Sequence, residues 1–226
     1  MKVVILAGGF GSRISELSHL KPKPMIEVGG KPILWHLMKI YETQGFNDFI
    51  ICLGYKGHII KEYFLNYFMY NSDLTIDVKN NKIDVHNNSS SNFKVTLIDT
   101  GLNTMTSGRL NRVKDYIDDE NFFLTYGDGL SDINLNNELS FHLNHKKMVT
   151  MTIVQPEGRF GAIKTNEHNT VTHFQEKPKG DGTWINGGFF IINKKVFDHL
   201  PENADNIMWE QDPLINFTKM GELAAY

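Results

Sequence analysis

The chain opens with the stretch Met1-Lys-Val-Val-Ile-Leu-Ala-Gly-Gly-Phe-Gly-Ser-Arg13. Its residues from Val3 to Ala7 are all apolar, and a short apolar run of this kind is typical of a buried strand in a parallel sheet. Small residues follow the run at once: Gly8, Gly9, Gly11 and Ser12. Backbone N–H groups gather where a strand ends in glycine, and a phosphate can approach them closely. With the guanidinium of Arg13 beside them, the stretch predicts a polyphosphate site at the end of a first strand.

Two common phosphate-binding motifs do not match this loop. The dinucleotide fingerprint Gly-x-Gly-x-x-Gly, counted from Gly9, would need glycine where Ile14 stands. The P-loop needs a Gly-Lys-Ser/Thr triplet, which the sequence lacks. A pair of glycines alone is more often a tight turn that binds nothing. Because Arg13 and the segment Lys21-Pro-Lys-Pro24 accompany the glycines, we favour the phosphate site.

Length and composition limit the function classes. The 226 residues suffice for one substantial α/β domain, and 41% hydrophobic residues indicate an ordinary core. The net charge of −3, without a long basic run, argues against a nucleic-acid partner. No apolar run is long enough for a secretory signal or a membrane span, so we expect no membrane partner. The only cysteine, Cys52, is expected to be a reduced core residue, which favours the cytoplasm.

Strand-like and helix-like segments alternate through the first half of the chain. The sequence predicts a helix over Lys31–Tyr41, a strand over Asp48–Leu53 and a helix over Gly57–Phe68. Further strands are predicted at Lys94–Ile98, Asn121–Thr125, Met148–Val154, Val171–Phe174 and Gly188–Ile192. This βαβαβ order predicts a Rossmann-like α/β fold with a doubly wound, mostly parallel sheet, on which ligands bind at the carboxyl ends of the strands.

A region with strand periodicity interrupts this alternation. The segments Leu74–Val78 and Lys82–Val85 alternate apolar and polar residues around Asn80-Asn81, which predicts a β-hairpin. We interpret residues 70–93 as an insertion projecting from a single domain that spans residues 1–226. Such a ribbon could pack on another subunit of a homo-oligomer or stand in solvent, and both alternatives stay open.

Several motifs, in order along the whole chain, resemble those of the sugar-1-phosphate nucleotidylyltransferase family. The signature part is Leu6–Arg13 followed by Pro22-Lys23, with Ser12 where threonine is usual. Other stretches resemble the cytidylyltransferase branch of that family: Lys21-Pro-Lys-Pro-Met25, Gly29-Gly-Lys-Pro-Ile-Leu-Trp-His36, Asp99-Thr-Gly101, Ser107-Gly-Arg-Leu110, Thr125-Tyr-Gly-Asp-Gly129, Gly158-Arg-Phe-Gly-Ala162, Phe174-Gln-Glu-Lys-Pro-Lys-Gly180 and Ile185-Asn-Gly-Gly-Phe189.

The resemblance implies a specific reaction. A cytidylyl group would pass from CTP to α-D-glucose 1-phosphate, giving CDP-glucose and pyrophosphate for deoxysugars of bacterial surface polysaccharides such as O-antigen. The alternatives are the same chemistry with UTP or dTTP, and a non-catalytic nucleotide-binding subunit. The second alternative arises because the family has a further metal-binding aspartate beyond the sugar site, whereas this sequence ends at Gly221-Glu-Leu-Ala-Ala-Tyr226. We therefore expect weak catalysis from the chain as it stands.

Asp128 and Lys23 are the candidates for charge neutralisation. Asp128 stands between two glycines after an apolar strand, where it could hold Mg²⁺ together with substrate phosphates or bond its own backbone in a turn. The resemblance gives Asp128 the metal. Lys23 lies between two prolines that stiffen its loop. The resemblance assigns Lys23 to the reacting phosphate and makes it a catalytic residue together with Arg13, with Lys21 as the alternative to Lys23.

The resemblance also implies the two substrate subsites. The nucleotide would contact Leu6, Ala7, Gly8, Gly9, Gly11, Ser12, Arg13, Lys23, Thr104, Arg109 and Gly127. The sugar phosphate would contact Gly161, Glu176, Lys177, Asn186 and Gly187. From residue type alone, Arg109 and Arg112 could begin a solvated helix, Glu176-Lys177 could be a surface pair, and Asn186-Gly187 could be a hairpin turn.

The sequence lacks the motifs of two other kinds of site, a structural zinc site and a hydrolase active site. The nine histidines are scattered, with neither a His-x-x-x-His pair nor a cysteine cluster, which argues against a structural zinc site. The sequence contains no Gly-x-Ser-x-Gly elbow, which argues against hydrolysis of the α/β-hydrolase type.

Overall fold

A seven-stranded sheet forms the centre of the structure, a computed structural model that describes residues 1–10, 21–156, 162–175 and 183–226. The strands are, in chain order, β1 (Lys2–Leu6), β2 (Glu27–Val28), β3 (Lys31–Pro32), β4 (Asp48–Leu53), β5 (Ser72–Asp77), β6 (Lys82–Asn88), β7 (Lys94–Asp99), β8 (Asn121–Tyr126), β9 (Val149–Val154), β10 (Ala162–Thr165), β11 (Val171–Gln175), β12 (Ile185–Asn193) and β13 (Leu223–Ala225). The helices are α1 (Ile33–Glu42), α2 (Gly57–Tyr70), α3 (Thr106–Arg112), α4 (Leu135–His145) and α5 (Asp212–Lys219). Within these ranges no helix combines the length and the apolar character that crossing a membrane requires.

The strand order of the central sheet is β13-β9-β12-β8-β1-β4-β7. Strand β1 lies between β4 and β8 and is parallel to both, and β7 is parallel to β4. Strand β12 runs antiparallel to β8 and β9, so the sheet is mixed although mostly parallel. The predicted α/β class is thus confirmed. Because β1, β4, β7 and β8 are parallel, their carboxyl ends meet at one edge, where the glycine loop begins.

Helices cover both faces of the sheet, since successive side chains of a strand point to opposite faces. On one face, Val3 and Ile5 belong to a core that includes the buried side of α1. On the other face, Val4 and Leu6 belong to a second core, to which α3 and α5 contribute. Cys52 lies in this second core as a free thiol, and burial raises its pKa to about 12. The prediction of a reduced core cysteine is confirmed.

The predicted elements differ from the structure mainly at their ends. Helix α1 begins at Ile33 because the two preceding residues form β3, which pairs with β2. Helix α2 continues to Tyr70, beyond its predicted end. The alternative that Asn186 and Gly187 form a hairpin turn is wrong, since both lie inside β12. The register of β12 with β9 shifts just after them, and this irregularity accommodates the glycines.

The predicted hairpin is confirmed as a separate two-stranded ribbon of β5 and β6. Asn81 in its turn has a φ of 52°, in the left-handed region that asparagine tolerates. Ile76 pairs with Ile83 and Leu74 pairs with Val85 on one face. That apolar face is open to solvent, with Ile76 58% exposed. The ribbon therefore carries an uncovered apolar face away from the central sheet.

Candidate active site

A cleft of about 420 Å³ opens at the carboxyl ends of β1 and β8. This volume lies in the range of small-molecule sites. The cleft is lined by many of the residues predicted for the nucleotide and the metal: Leu6, Ala7, Gly8, Gly9, Lys23, Thr104, Arg109 and Asp128. The predicted residues Gly11, Ser12, Arg13, Gly161, Glu176 and Lys177 lie outside the described residues.

Gly8 stands where no side chain fits. A Cβ at this position would lie 2.0 Å from Nη1 of Arg109, and a Cβ at Gly54 would lie 2.5 Å from the same atom. The Gly8 carbonyl accepts hydrogen bonds from Nη2 of Arg109 at 3.0 Å and from the N–H of Tyr55 at 3.1 Å. Glycine is required here because the guanidinium passes directly beneath the loop.

The same contact sets the direction of the next N–H group, that of Gly9. In a trans peptide the carbonyl of one residue and the N–H of the next point in opposite directions. Because the Gly8 carbonyl points at Arg109, the N–H of Gly9 points away from it. Gly9 itself is exposed, and a Cβ added to it would meet nothing within 4 Å. This orientation suits an anion that approaches the loop from outside.

Arg109 is a buried cation within α3, so the alternative of a solvated helix start is wrong. Its Nη1 donates to the Leu53 carbonyl at 2.9 Å and to the Thr100 hydroxyl at 2.8 Å. Its Nη2 donates to the Leu102 carbonyl at 3.3 Å. In the part of the chain that the structure describes, no carboxylate forms an ion pair with this guanidinium. Burial lowers the pKa of Arg109, but arginine stays charged at neutral pH and makes the potential under the loop positive.

Lys23 and Asp128 meet in the cleft. The Nζ atom of Lys23 lies 3.8 Å from Oδ2 of Asp128. The N–H of Gly127 donates to the Leu6 carbonyl at 3.0 Å, which docks the turn before Asp128 against the end of β1. A Cβ at Gly127 would lie 2.9 Å from Cγ of Pro24, so glycine allows the Lys23 segment to pack closely here. The fold thus brings the predicted cation next to the predicted metal ligand.

Lys21, the alternative to Lys23, lies elsewhere. Its Nζ atom is 2.6 Å from Oε1 of Glu27, and both side chains are about half exposed. Lys21 lines a second cavity between β2, β3 and α2 and does not line the cleft. The geometry therefore favours Lys23 as the residue that faces the substrate.

The carboxylate of Asp128 fits only one kind of cation site. Across the described ranges there is no group of three or more His, Cys, Asp and Glu side chains that could enclose a metal ion. Mg²⁺ is commonly held by one or two carboxylates together with substrate phosphates and water. A single exposed carboxylate beside a glycine loop suits a divalent cation that arrives with a phosphate.

The opposite wall of the cleft is apolar. It consists of the loop between β7 and α3 and of one residue near α5, with exposed side chains at Leu102, Met105 and Met208. Thr104 lines the same wall and is nearly buried. An apolar wall with a few polar groups is typical of sites for flat heterocycles.

The strand with Asn186 and Gly187 adjoins the cleft through Tyr126. The Asn186 side chain lies beside the Tyr126 hydroxyl and acts to lower the pKa of Tyr126, and Tyr126 lines the cleft. Gly188, with a φ of +82°, lies under the Tyr126 ring, where a Cβ would be 2.9 Å from Cδ2. The predicted sugar residues of β12 are therefore adjacent to the predicted nucleotide residues.

Sequence reasoning missed Tyr126 and Glu210. The Tyr126 hydroxyl donates to Oε1 of Glu210, and burial, followed by the Glu210 charge, raises the pKa of Tyr126 well above its ordinary value. Tyr126 could have been found, since it lies in the same motif as Asp128. Glu210 carries no local signal, because only the tertiary fold brings residues 204–210 to this place.

Two kinds of comparison relate the chain to known proteins. The nucleotidyl transferase family model matches residues 2–219. The glucose-1-phosphate cytidylyltransferase of Salmonella typhi is 52% identical, over 100% of this chain and 87% of the relative. The probable glucose-1-phosphate cytidylyltransferase of Bacillus subtilis (strain 168) is 47% identical, with the same coverage of both chains.

Solved structures share the fold. HddC from Yersinia pseudotuberculosis superposes with a TM-score of 0.71 and 28% identity, covering 100% of this chain and 89% of that one. A UDP-glucose pyrophosphorylase complexed with UDP-glucose superposes with a TM-score of 0.65 over the same shares of the two chains. Its identity is 16%, so this second likeness concerns the fold alone.

Proposed function

The chain belongs to the nucleotidyl transferase family, and we propose that it transfers the cytidylyl group of CTP to α-D-glucose 1-phosphate, giving CDP-glucose and pyrophosphate. One observation carries the proposal: Gly8, Gly9, Lys23 and Asp128 converge in a single cleft. The choice of CTP and glucose 1-phosphate rests on the relative that is 52% identical over the whole of this chain.

The reaction joins two anions. A phosphate oxygen of glucose 1-phosphate bonds to the α-phosphorus of CTP, the bond from that phosphorus to the bridging oxygen breaks, and its electron pair leaves with pyrophosphate. The attacking oxygen is already ionised, so the protein need not supply a nucleophile. Its work is to hold the reactants in line and to stabilise the charge that develops on the leaving group.

The residues of the cleft suit this work. We assign Lys23 to the reacting phosphate, because its ammonium is a compact charge at the mouth of the cleft. We assign the Gly9 N–H group, with Arg13, to the departing pyrophosphate, and the buried charge of Arg109 adds a positive potential beneath Gly8. Lys177, Glu176 and Gly161 are proposed for the sugar phosphate from the resemblance alone.

Members of this family typically depend on a metal ion, and we propose Mg²⁺ for this chain. Asp128 would hold the ion together with phosphate oxygens of CTP. When bound, the ion supplies positive charge to the triphosphate and to its leaving group. The ion pair with Lys23 keeps the Asp128 carboxylate at the cleft.

We also propose that the protein is a homo-oligomer in the cytoplasm. An isolated two-stranded ribbon is marginally stable in water, and the β5–β6 ribbon exposes aliphatic residues on one face, with Ile83 49% exposed. A second copy of the chain packing on this face would account for it. The buried free thiol of Cys52 is compatible with a reducing compartment.

Pyrophosphate release measured across CTP, UTP, dTTP and GTP with several sugar phosphates tests the proposal. We expect release with CTP and glucose 1-phosphate, and at least ~10-fold slower release with each other pair, the usual scale of discrimination by one substrate group. Preference for UTP or dTTP would contradict the assigned base. Thermal stabilisation by CTP without release from any pair would make the protein a nucleotide-binding subunit instead.

A further inference from the structure

Residues 204–210 lie across the loop that forms the apolar wall of the cleft. The N–H of Met105 donates to the Asp205 carbonyl at 2.8 Å, just before α3 begins. The N–H of Trp209 donates to the Thr106 hydroxyl oxygen at 2.7 Å. These bonds engage the polar groups at the amino end of α3, which has no side-chain cap of its own. The position of the apolar wall therefore depends on residues 204–210.

Glu210 ends the segment with a carboxylate that has two partners. Its Oε2 atom accepts a hydrogen bond from the Thr106 hydroxyl at 2.9 Å. Its Oε1 atom accepts one from the Tyr126 hydroxyl. Thr106 begins α3 directly after the loop of the apolar wall and lines the cleft, whereas Tyr126 ends β8, two residues before Asp128. One side chain thus connects two walls of the cleft.

Tyr126 extends this connection to the strand with the sugar residues. Its hydroxyl lies beside the Asn186 side chain, which acts to lower the pKa of Tyr126, and its ring lies on Gly188. A shift of the ring would therefore move the start of β12, which adjoins the cleft through Tyr126. The path from Thr106 to Tyr126 therefore runs through Glu210 in two hydrogen bonds, and the Asn186 side chain lies beside its far end.

We propose that Glu210 is a positioning residue that sets the nucleotide half and the sugar half of the cleft relative to each other. The proposal rests on the proposed function, since it presumes that both substrates bind here. Glu210 does not line the cleft and acts through Thr106 and Tyr126.

A carboxylate suits this role better than an amide. Both neighbours donate a hydroxyl hydrogen, and an ionised carboxylate accepts with both oxygens. The Thr106 oxygen already accepts the N–H of Trp209, so its own hydrogen is free to point at Glu210. A glutamine of the same shape could accept from only one of the two hydroxyls.

Kinetic constants for each substrate test the proposal. Pyrophosphate release gives KM for CTP and for glucose 1-phosphate in Thr106→Ala, Tyr126→Phe, Glu210→Gln and Glu210→Ala. We expect Thr106→Ala to raise mainly KM for CTP and Tyr126→Phe to raise mainly KM for glucose 1-phosphate. Glu210→Ala should raise both by ~10-fold or more, the scale of a lost hydrogen bond to a charged group. The exposed Glu202, changed to Ala, is the matched control.

Coupling supplies a readout that a purely structural role would not move. The double variant Glu210→Ala with Tyr126→Phe should have a KM for glucose 1-phosphate no higher than Glu210→Ala alone, because both changes break one path. Glu210→Gln, which keeps the shape, should keep the melting temperature within about 2 °C and still raise at least one KM.

Three outcomes would overturn the inference: both KM values of Glu210→Ala within twofold of the wild type, multiplicative effects in the double variant, or a Glu210→Gln protein with wild-type constants.

The melting-temperature rise caused by each substrate, measured in parallel, separates this inference from the proposed function. A wild type that binds both substrates without releasing pyrophosphate would refute only the proposed function, and smaller rises in Glu210→Ala than in Glu202→Ala would still support the positioning role. A wild type that binds neither substrate would refute both.

Discussion

Arg109 reaches under the glycine turn and takes the Gly8 carbonyl as one of several oxygen partners. A buried arginine without a carboxylate is costly unless its N–H groups are all bonded. Here the carbonyls of Gly8, Leu53 and Leu102 and the Thr100 hydroxyl accept four hydrogen bonds from its two Nη atoms. The arrangement keeps a positive charge beneath the loop and turns a peptide N–H outward. The phosphate site therefore depends on an inner contact as much as on the loop itself.

Gly8→Ala should disrupt this contact. The added Cβ would lie 2.0 Å from Nη1 of Arg109, so the guanidinium or the loop must move. We expect a loss of about 1–3 kcal/mol in the free energy of unfolding and a weaker affinity for CTP, measured by urea unfolding and by titration calorimetry. Gly9→Ala meets open space and should leave the free energy of unfolding nearly unchanged. Equal effects of the two substitutions would contradict the account.

Lys23→Ala should remove the cation that faces the reacting phosphate. We expect kcat to fall by roughly 10²–10³-fold, the effect of losing one group that stabilises transition-state charge. The melting temperature should stay close to that of the wild type, because the ion pair with Asp128 lies at the edge of the cleft.

Lys21→Ala is the matched control for that substitution. Its ammonium pairs with Glu27 outside the cleft, so kcat should stay within about threefold of the wild type. A larger loss of kcat in Lys21→Ala than in Lys23→Ala would assign Lys21, and not Lys23, to the reacting phosphate.

Single residues of the site differ in how far the sequence could predict them. Lys23 and Asp128 stand in short motifs next to strand ends, and the fold brings them within 3.8 Å of each other. Glu210 became visible only in three dimensions, since its partners are 104 and 84 residues away along the chain. The inner bonds of Arg109 could not be foreseen either, because they depend on how closely two strand ends approach.

At the scale of elements, α4 buries two titratable groups against β9. Glu138 accepts a hydrogen bond from the Thr152 hydroxyl at 2.7 Å, and its other oxygen has no partner in the described residues. Burial raises the pKa of Glu138 to about 7. His142, one turn further on, bonds the Thr150 hydroxyl, and burial lowers its pKa to about 4. The packing of α4 therefore favours the neutral form of both groups.

Glu138→Gln should change how stability depends on pH. The pKa of Glu138 rises from 4.5 to about 7 on folding, so between these values the unfolded chain releases the proton first and stability falls as pH rises. The Glu138→Gln variant has no carboxyl at this position, so its stability does not fall in this way. Relative to the wild type, its free energy of unfolding should increase by on the order of 3 kcal/mol across that window.

Urea unfolding at pH 5 and pH 8 checks this difference. His142 acts in the opposite direction, since its lowered pKa costs stability as pH falls below 6.5, but it is present in both proteins and cancels. The exposed Glu202, changed to Gln, should show no such difference. If the free energy of unfolding of Glu138→Gln differs from that of the wild type by the same amount at pH 5 and pH 8, the result would contradict a raised pKa of Glu138.

Charged substitutions on the apolar face of the β5–β6 ribbon should change the oligomeric state of the protein. If a second copy covers its apolar face, the combined change Ile76→Lys and Ile83→Lys should convert the oligomer into a monomer of 25.9 kDa, measured by light scattering after gel filtration. The two residues face each other across the ribbon and are both exposed, so the core should stay intact. A monomeric wild type would contradict the proposal.

The elements themselves were largely predictable because their patterns are local. Strand β1 is apolar from Val3 onward, and the ribbon alternates around an asparagine pair, so hydrophobic pattern and turn chemistry indicate each of them. The short β2–β3 ladder was missed, since two-residue strands carry no periodicity. The path of β12 was misjudged in one alternative, because Asn-Gly is also typical of hairpin turns.

At the scale of the whole molecule, a net charge of −3 coexists with a cleft that gathers positive groups. Strand order explains this contrast, because parallel strands deliver the turns after β1, β4 and β8 to one edge. The antiparallel strand β12 then places Asn186 next to the same edge through Tyr126. Sequence motifs contained many of the residues that line the cleft, whereas the contacts that Glu210 makes between its walls became visible only in the complete fold.

A crystal structure with CTP and Mg²⁺ tests the central claim most directly. We predict that the triphosphate lies in the cleft, with an oxygen within ~3 Å of the Gly9 N–H and of the Lys23 ammonium, and with the ion bound to Asp128. A structure in which CTP binds elsewhere while the Gly9 N–H and Lys23 contact no phosphate would contradict it.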